Sequence, residues 1–132
     1  MTSLSTALLV ALGGGIAGWA LENAVHQALS PPNEPLRYSA LLPGLPFMPV
    51  YAAGGALVYL MKPHVRDFHP AARALVYGGA LTLLEAGAGT LDRANGQRSW
   101  DYGDGRVVDL PHAALWALTG LGLEHVLTRS GV

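Results

Sequence analysis

The chain has 132 residues, of which 51% are hydrophobic and only 13% charged, with a formal net charge of −1. So little charge, with a mean hydropathy of +0.31, argues against an ordinary soluble domain of this size. The near-neutral balance gives no reason to expect a nucleic-acid partner, and the lack of cysteine excludes disulfides, thiolate metal sites and cysteine nucleophiles.

Four apolar stretches approach the roughly 20 helical residues that cross a bilayer. In chain order they predict helices over about 4–26, 45–61, 71–91 and 107–127. The first has no Lys or Arg ahead of it and no convincing small-residue cleavage site before Glu22, so it is read as a span and not as a secretory signal. The connections are a Pro-rich segment from Pro31 to Pro43, a basic, His-bearing one from Lys62 to Pro70, and a Gly- and Asp-rich one from Asp92 to Arg106. None is a domain linker, so the expectation is a single all-α domain, a polytopic membrane four-helix bundle. Lys62, Arg66, Arg73 and Arg129 at one end balance Arg37, Arg93, Arg98 and Arg106 at the other. The shorter loop, Lys62 to Pro70, tips the expected orientation in the cell inner membrane toward cytoplasmic termini.

The two halves share a pattern. Gly15 is followed by Leu21-Glu22 as Gly78 is by Leu84-Glu85, and Leu45-Pro46 precedes Tyr51 and Gly55 as Leu110-Pro111 precedes Trp116 and Gly120. A duplicated two-helix hairpin is expected, its repeats parallel and related by an axis along the membrane normal.

A carboxylate inside a run such as Leu75 to Leu91 costs about 2.5 kcal/mol or more on insertion scales, so Glu85 needs a partner, a proton or a task. Gly15, Trp19, Glu22 and His26 share one helix face, and Gly78, Thr82, Glu85 and Gly89 share another. Small residues let membrane helices approach closely, so both stripes are expected to face protein. If the first and third helices run parallel, Glu22, His26 and Glu85 gather at the end where Tyr51, His112 and Trp116 begin the second and fourth. The loop adds Trp100, Asp101 and Tyr102. These nine residues are the expected ligand-binding or proton-coupled set.

A purely structural reading gives the glutamates and histidines to interhelical hydrogen bonds and Trp100 and Tyr102 to an interfacial aromatic belt. Asp101 then caps a turn or pairs with Arg98 or Arg106. His64, His69, Glu124 and His125 fall near the opposite interface, where solvation or snorkelling is expected.

Gly18-Trp19-Ala20-Leu21-Glu22, Pro46-Phe47-Met48-Pro49-Val50-Tyr51 with Gly54-Gly55, Leu83-Leu84-Glu85 with Gly89, Gly96 to Tyr102 ending in Trp-Asp-Tyr, and Trp116 together resemble the CmpB-type ABC-transporter permease family. The transmembrane protein 229 group looks like a relative. The resemblance spans about Gly14 to Gly120. It departs at Ala52 and Gly103, where Gly and Ser are the family's pattern, and at the compressed Asp104-Gly105 stretch. It implies an integral membrane protein with a transport label.

Four helices enclose little more than side chains, so a solute pathway would need a homodimer or a larger membrane partner, with Gly13 to Gly15 and Gly87 to Gly89 as close-packing surfaces. No Walker A pattern, nucleophile elbow or HExxH is present, so no cofactor is expected. Glu22 with His26 is an incomplete metal set. The favoured expectation is a pocket that binds or transports a small molecule or membrane lipid. An alternative is an acid/base enzyme acting on an apolar lipid, in which one glutamate protonates and a second carboxylate, His26 or His112 accepts. A third is a helper subunit of a larger membrane complex.

Overall fold

The computed structural model describes residues 3–29, 48–96 and 102–132, without the side chains of 25–27 and 29. Among these residues the fold is all-α, with four helices: α1 Leu4–Leu29, α2 Pro49–Val65, α3 Pro70–Ala94 and α4 Leu110–Arg129.

Local chemistry sets the starts. Ser3 Oγ accepts from Thr6 N at 3.1 Å at the head of α1. Helices α2, α3 and α4 each carry proline in the first turn, where its missing N–H costs nothing. His69 Nδ1 accepts from Ala71 N at 3.3 Å, and Asp109 Oδ1 accepts from His112 N at 2.9 Å.

These starts correct two expected boundaries. α2 begins at Pro49, not Leu45, because proline forces the preceding Met48 into an extended conformation (φ −117°, ψ 109°). α4 begins at Leu110, not Val107, because Asp109 is extended (φ −146°, ψ 170°) and caps it. α2 also runs past the expected stop at Met61. Pro63 lies near its end, where it withdraws one donor without breaking the helix, and Arg66 N still reaches Lys62 O at 3.1 Å. The connection to α3 is thereby reduced to Arg66–His69.

The helices pack as two hairpins, α1 on α2 and α3 on α4, with α2 also touching α3 and α4. Close approach depends on glycine at the crossings. A Cβ on Gly18 would stand 2.2 Å from Tyr51 Cγ, and one on Gly120 would stand 2.4 Å from Tyr77 Cβ. The termini meet at the far end of α2: Ser3 N donates to Tyr59 Oη at 3.2 Å, and Lys62 Nζ donates to the Val132 carbonyl. Ser3, Val132 and the Arg66–His69 turn therefore share one end of the bundle, leaving the opposite end to Glu22, Glu85 and the approach to α4.

The buried core is small and centres on Val58, Tyr59, Tyr77, Leu81 and Leu127. Large apolar side chains lie outside it, among them Leu9 and Leu12 on α1, Leu75 (77% exposed) and Leu83 (75%) on α3, and Leu118 on α4. Two helices, over Leu4–Ala24 and Pro70–Ala94, are long and apolar enough to cross a membrane. α2, with 17 residues, and α4, with 20, do not meet the same measure of length and hydropathy.

Candidate functional site

Six of the nine expected residues converge. Glu22 of α1, Tyr51 of α2, Glu85 of α3, Tyr102 of the loop, and His112 and Trp116 of α4 line one cavity of about 370 Å³ at the end of the bundle away from the termini. Trp100 and Asp101 lie outside the described residues, as does the side chain of His26, whose backbone is in α1.

Each glutamate is gripped by an aromatic donor from its own hairpin. Tyr51 Oη donates to Glu22 Oε1. Trp116 Nε1 donates to Glu85 Oε2 at 2.9 Å, and Tyr102 Oη donates to Glu85 Oε1 at 2.5 Å. Both oxygens of Glu85 thus accept, an arrangement that suits a carboxylate, which has acceptors only. Glu85 is 4% exposed, so these bonds offset a desolvation that would otherwise be expensive. For Glu22, no donor among the described residues is directed at Oε2.

Tyr102 is placed by a backbone turn of unusual shape. Gly103, Asp104 and Gly105 all adopt positive φ (94°, 52° and 78°), with Tyr102 N bonded to Arg106 O at 3.0 Å and Arg106 N to Gly103 O at 3.0 Å. Two glycines tolerate that conformation, and Asp is one of the few other residues that accept it. Arg106 Nη2 reaches back to the Tyr102 carbonyl at 3.3 Å, and Arg93 Nη1 donates to the Gly105 carbonyl.

His112 joins this set through two contacts. Its ring stacks on Tyr102 with centroids 3.8 Å apart and planes at 15°, and its Nδ1 lies 2.6 Å from Asp109 Oδ1. The backbone N–H of His112, and then its side chain, hold the Asp109 carboxyl below the usual carboxylate range. Tyr51 and Trp116 close the other side, their rings 5.4 Å apart and tilted at 54°. The contacts run unbroken from Asp109 through His112, Tyr102, Glu85, Trp116 and Tyr51 to Glu22.

Sequence reasoning missed Asp109, although Asp two residues before a proline is a readable helix-start signal. It also missed Leu115 and Thr119, which line the cavity and carry no signal beyond their helical positions, and Met48, which lines it from the extended residue ahead of α2. Glu124 is a correction. It was expected to be solvated or snorkelled, but it is buried (6% exposed) and takes a bidentate pair from Arg73 Nη1, at 3.0 and 2.9 Å, across the α3–α4 interface. Asp92, expected to open a polar loop, is a buried residue of α3 (2% exposed). His64, His69 and His125 are exposed.

Compared with known proteins, the chain matches no family model, no curated protein and no solved structure.

Proposed function

We propose that the chain is a multi-pass membrane protein that binds a small molecule or lipid in the Glu22–Glu85 pocket and moves it between membrane faces. The observation that carries this reading is the convergence of two glutamates, one from each hairpin, on one cavity of about 370 Å³ lined by aromatic and apolar side chains. Pockets that hold small molecules combine an apolar lining with a few fixed polar groups. The membrane setting is supported by two apolar helices of spanning length and by leucines turned outward on α1, α3 and α4. On this reading α2 and α4 complete the crossing, the shared end of the termini is cytoplasmic, and the chain is kin to the CmpB-type permeases on its motif residues.

The equivalent grips of Tyr51 on Glu22 and Trp116 on Glu85 support descent from a duplicated hairpin. A Cβ on Gly13, Gly79 or Gly87 would meet nothing within 4 Å, leaving those positions open to a second copy and thus to a dimer.

Native mass spectrometry from mild detergent tests the reading with a Glu22→Gln, Glu85→Gln double variant. A discrete small-molecule adduct on the wild type that vanishes in the variant supports a carboxylate-dependent ligand site and gives the ligand's mass. A bare protein of the same oligomeric state in both makes the glutamates helix contacts only and favours a helper subunit.

The Asp109–His112 pair favours one further reading, an acid/base enzyme, because a carboxylate on Nδ1 orients an imidazole for proton transfer at its other nitrogen. That reading requires the bound species to change mass over time, and the change to cease in His112→Asn.

A further inference from the structure

A second cavity, of about 310 Å³, continues the first one toward the middle of the bundle. The two share Leu21, Tyr51, Trp116 and Thr119, so the aromatic pair stands where they join. Along α1 the second cavity extends from Leu21 to Gly14, along α2 from Tyr51 to Val58, and along α4 from Trp116 to Leu123. Each stretch is eight residues, about 10 Å of helix. Its described walls are otherwise Gly, Ala, Val and Leu, and none of its described lining residues is charged. The groove exists because α1 makes its main packing contacts with α2, leaving the side toward α4 only loosely filled.

The first cavity has the opposite chemistry. Glu22 and Glu85 line it, and none of its described lining residues is Lys or Arg. An anion entering there would meet two carboxylates. A neutral head would leave the Glu22 carboxylate without a charged partner among the described residues. Among the described residues no three His, Asp or Glu side chains are grouped to hold a metal ion, and the volume far exceeds that of one ion. An organic cation fits both the charge and the size, and the rings of Tyr51 and Trp116 add the cation–π attraction by which aromatic side chains hold ammonium groups.

Resting on the pocket reading above, we infer that the ligand is an amphiphile with an ammonium head and a single alkyl chain. The head sits between Glu22, Tyr51 and Trp116, and the chain lies in the glycine-walled groove toward Val58 and Leu123. Head and tail together account for two cavities of contrasting chemistry joined at one aromatic gate.

Calorimetric titration of the detergent-solubilised protein with butyl-, hexyl- and octyltrimethylammonium tests the inference, with tetramethylammonium and octylsulfonate as controls. Affinity is expected to rise by up to about fourfold per methylene as the groove fills, and octylsulfonate is expected not to bind. Glu22→Gln should weaken every alkylammonium at least tenfold while its melting temperature shows that it folds. Gly122→Leu places a side chain in the groove at a position with nothing within 4 Å of the added Cβ. It should keep tetramethylammonium binding and lose the gain with chain length.

Sulfonate binding equal to that of the cation, affinity unchanged in Glu22→Gln, or a flat chain-length series in the wild type would each overturn the inference. The native adduct separates this failure from that of the pocket itself. An adduct lost in the double glutamate variant but not displaced by octyltrimethylammonium leaves the pocket standing and removes the cationic class. Neither adduct nor titration removes both.

Discussion

Tyr51 and Trp116, each five residues beyond a Leu-Pro proline in its own half of the chain, meet ring to ring at 5.4 Å. Each also donates a hydrogen bond to the glutamate of its own hairpin. One aromatic pair therefore bridges two carboxylates, and a change at either glutamate is expected to reach the other through rings already in contact. A double-mutant cycle on Glu22 and Glu85 measures that coupling as departure from additivity.

Trp116→Phe separates the two roles of this side chain. The ring contact with Tyr51 survives while Glu85 Oε2 loses its donor. An unsatisfied buried acceptor costs about 1–3 kcal/mol, and interhelical bonds in membranes lie toward the low end, so a loss of about 1–2 kcal/mol is expected. Reversible unfolding in mixed micelles measures it, and an unchanged midpoint would show that the indole N–H does not hold the carboxylate.

The glycines divide into two classes that a substitution series can read. Ala at Gly18 drives a methyl into the Tyr51 ring and Ala at Gly120 drives one into Tyr77, while Ala at Gly79 or Gly122 enters open space. The first two should cost about 1–3 kcal/mol by overpacking. The second two should be neutral or gain up to about 1 kcal/mol from helix propensity. Similar melting temperatures across all four would contradict the helix crossings described above. A loss at Gly79 alone would point to a second copy packed there.

The four helices and the convergence of polar residues at one end were legible in the sequence because spacing alone fixes a helix face. Glu22 and Glu85 fell on stripes of small residues, and Tyr51, His112 and Trp116 fell within early turns of their helices. The helix ends were less legible: Leu45 and Val107 belong to apolar runs, but Pro49 and the Asp109-to-Pro111 signal decide where the backbone turns helical. Hydropathy alone also counted four spans, whereas two helices meet the length and composition measure. Burial of Glu124 could not be read locally, because its partner Arg73 lies 51 residues away and on another helix. Tyr102, which reaches Glu85, is followed by three consecutive positive-φ residues, a backbone shape that composition hints at and does not dictate.

That distant pair makes its own prediction. Glu124 is buried and Arg73 keeps about a quarter of its side chain exposed, so removing one partner should cost toward the lower end of the buried-pair range, about 3 kcal/mol. Glu124→Leu and Arg73→Met are the single variants, and the double variant should recover most of the loss because no unpaired charge remains. A double variant as unstable as the sum of the singles would show that the pair is not the interaction being broken.

Asp109 supplies a pH dependence whose sign follows from its position. Its carboxyl is held below the ordinary value of 3.8, first by the backbone N–H of His112 at the head of α4 and then by the His112 side chain. A depressed folded value means that the stabilisation is fully present above the unfolded value and is lost as pH falls through the folded one. Asn at the same position retains N-cap capacity but does not titrate. The wild type is therefore expected to melt above Asp109→Asn at neutral pH, with the difference shrinking only once pH drops below the ordinary carboxylate range. His112 should lose its stacking order on Tyr102 together with the cap, so the ring-current shift of its protons in nuclear magnetic resonance should move over the same acid interval. A melting difference that stays constant into acid would mean that the Asp109 carboxylate is not what fixes the start of α4, and His112 would then owe its place to Tyr102 alone.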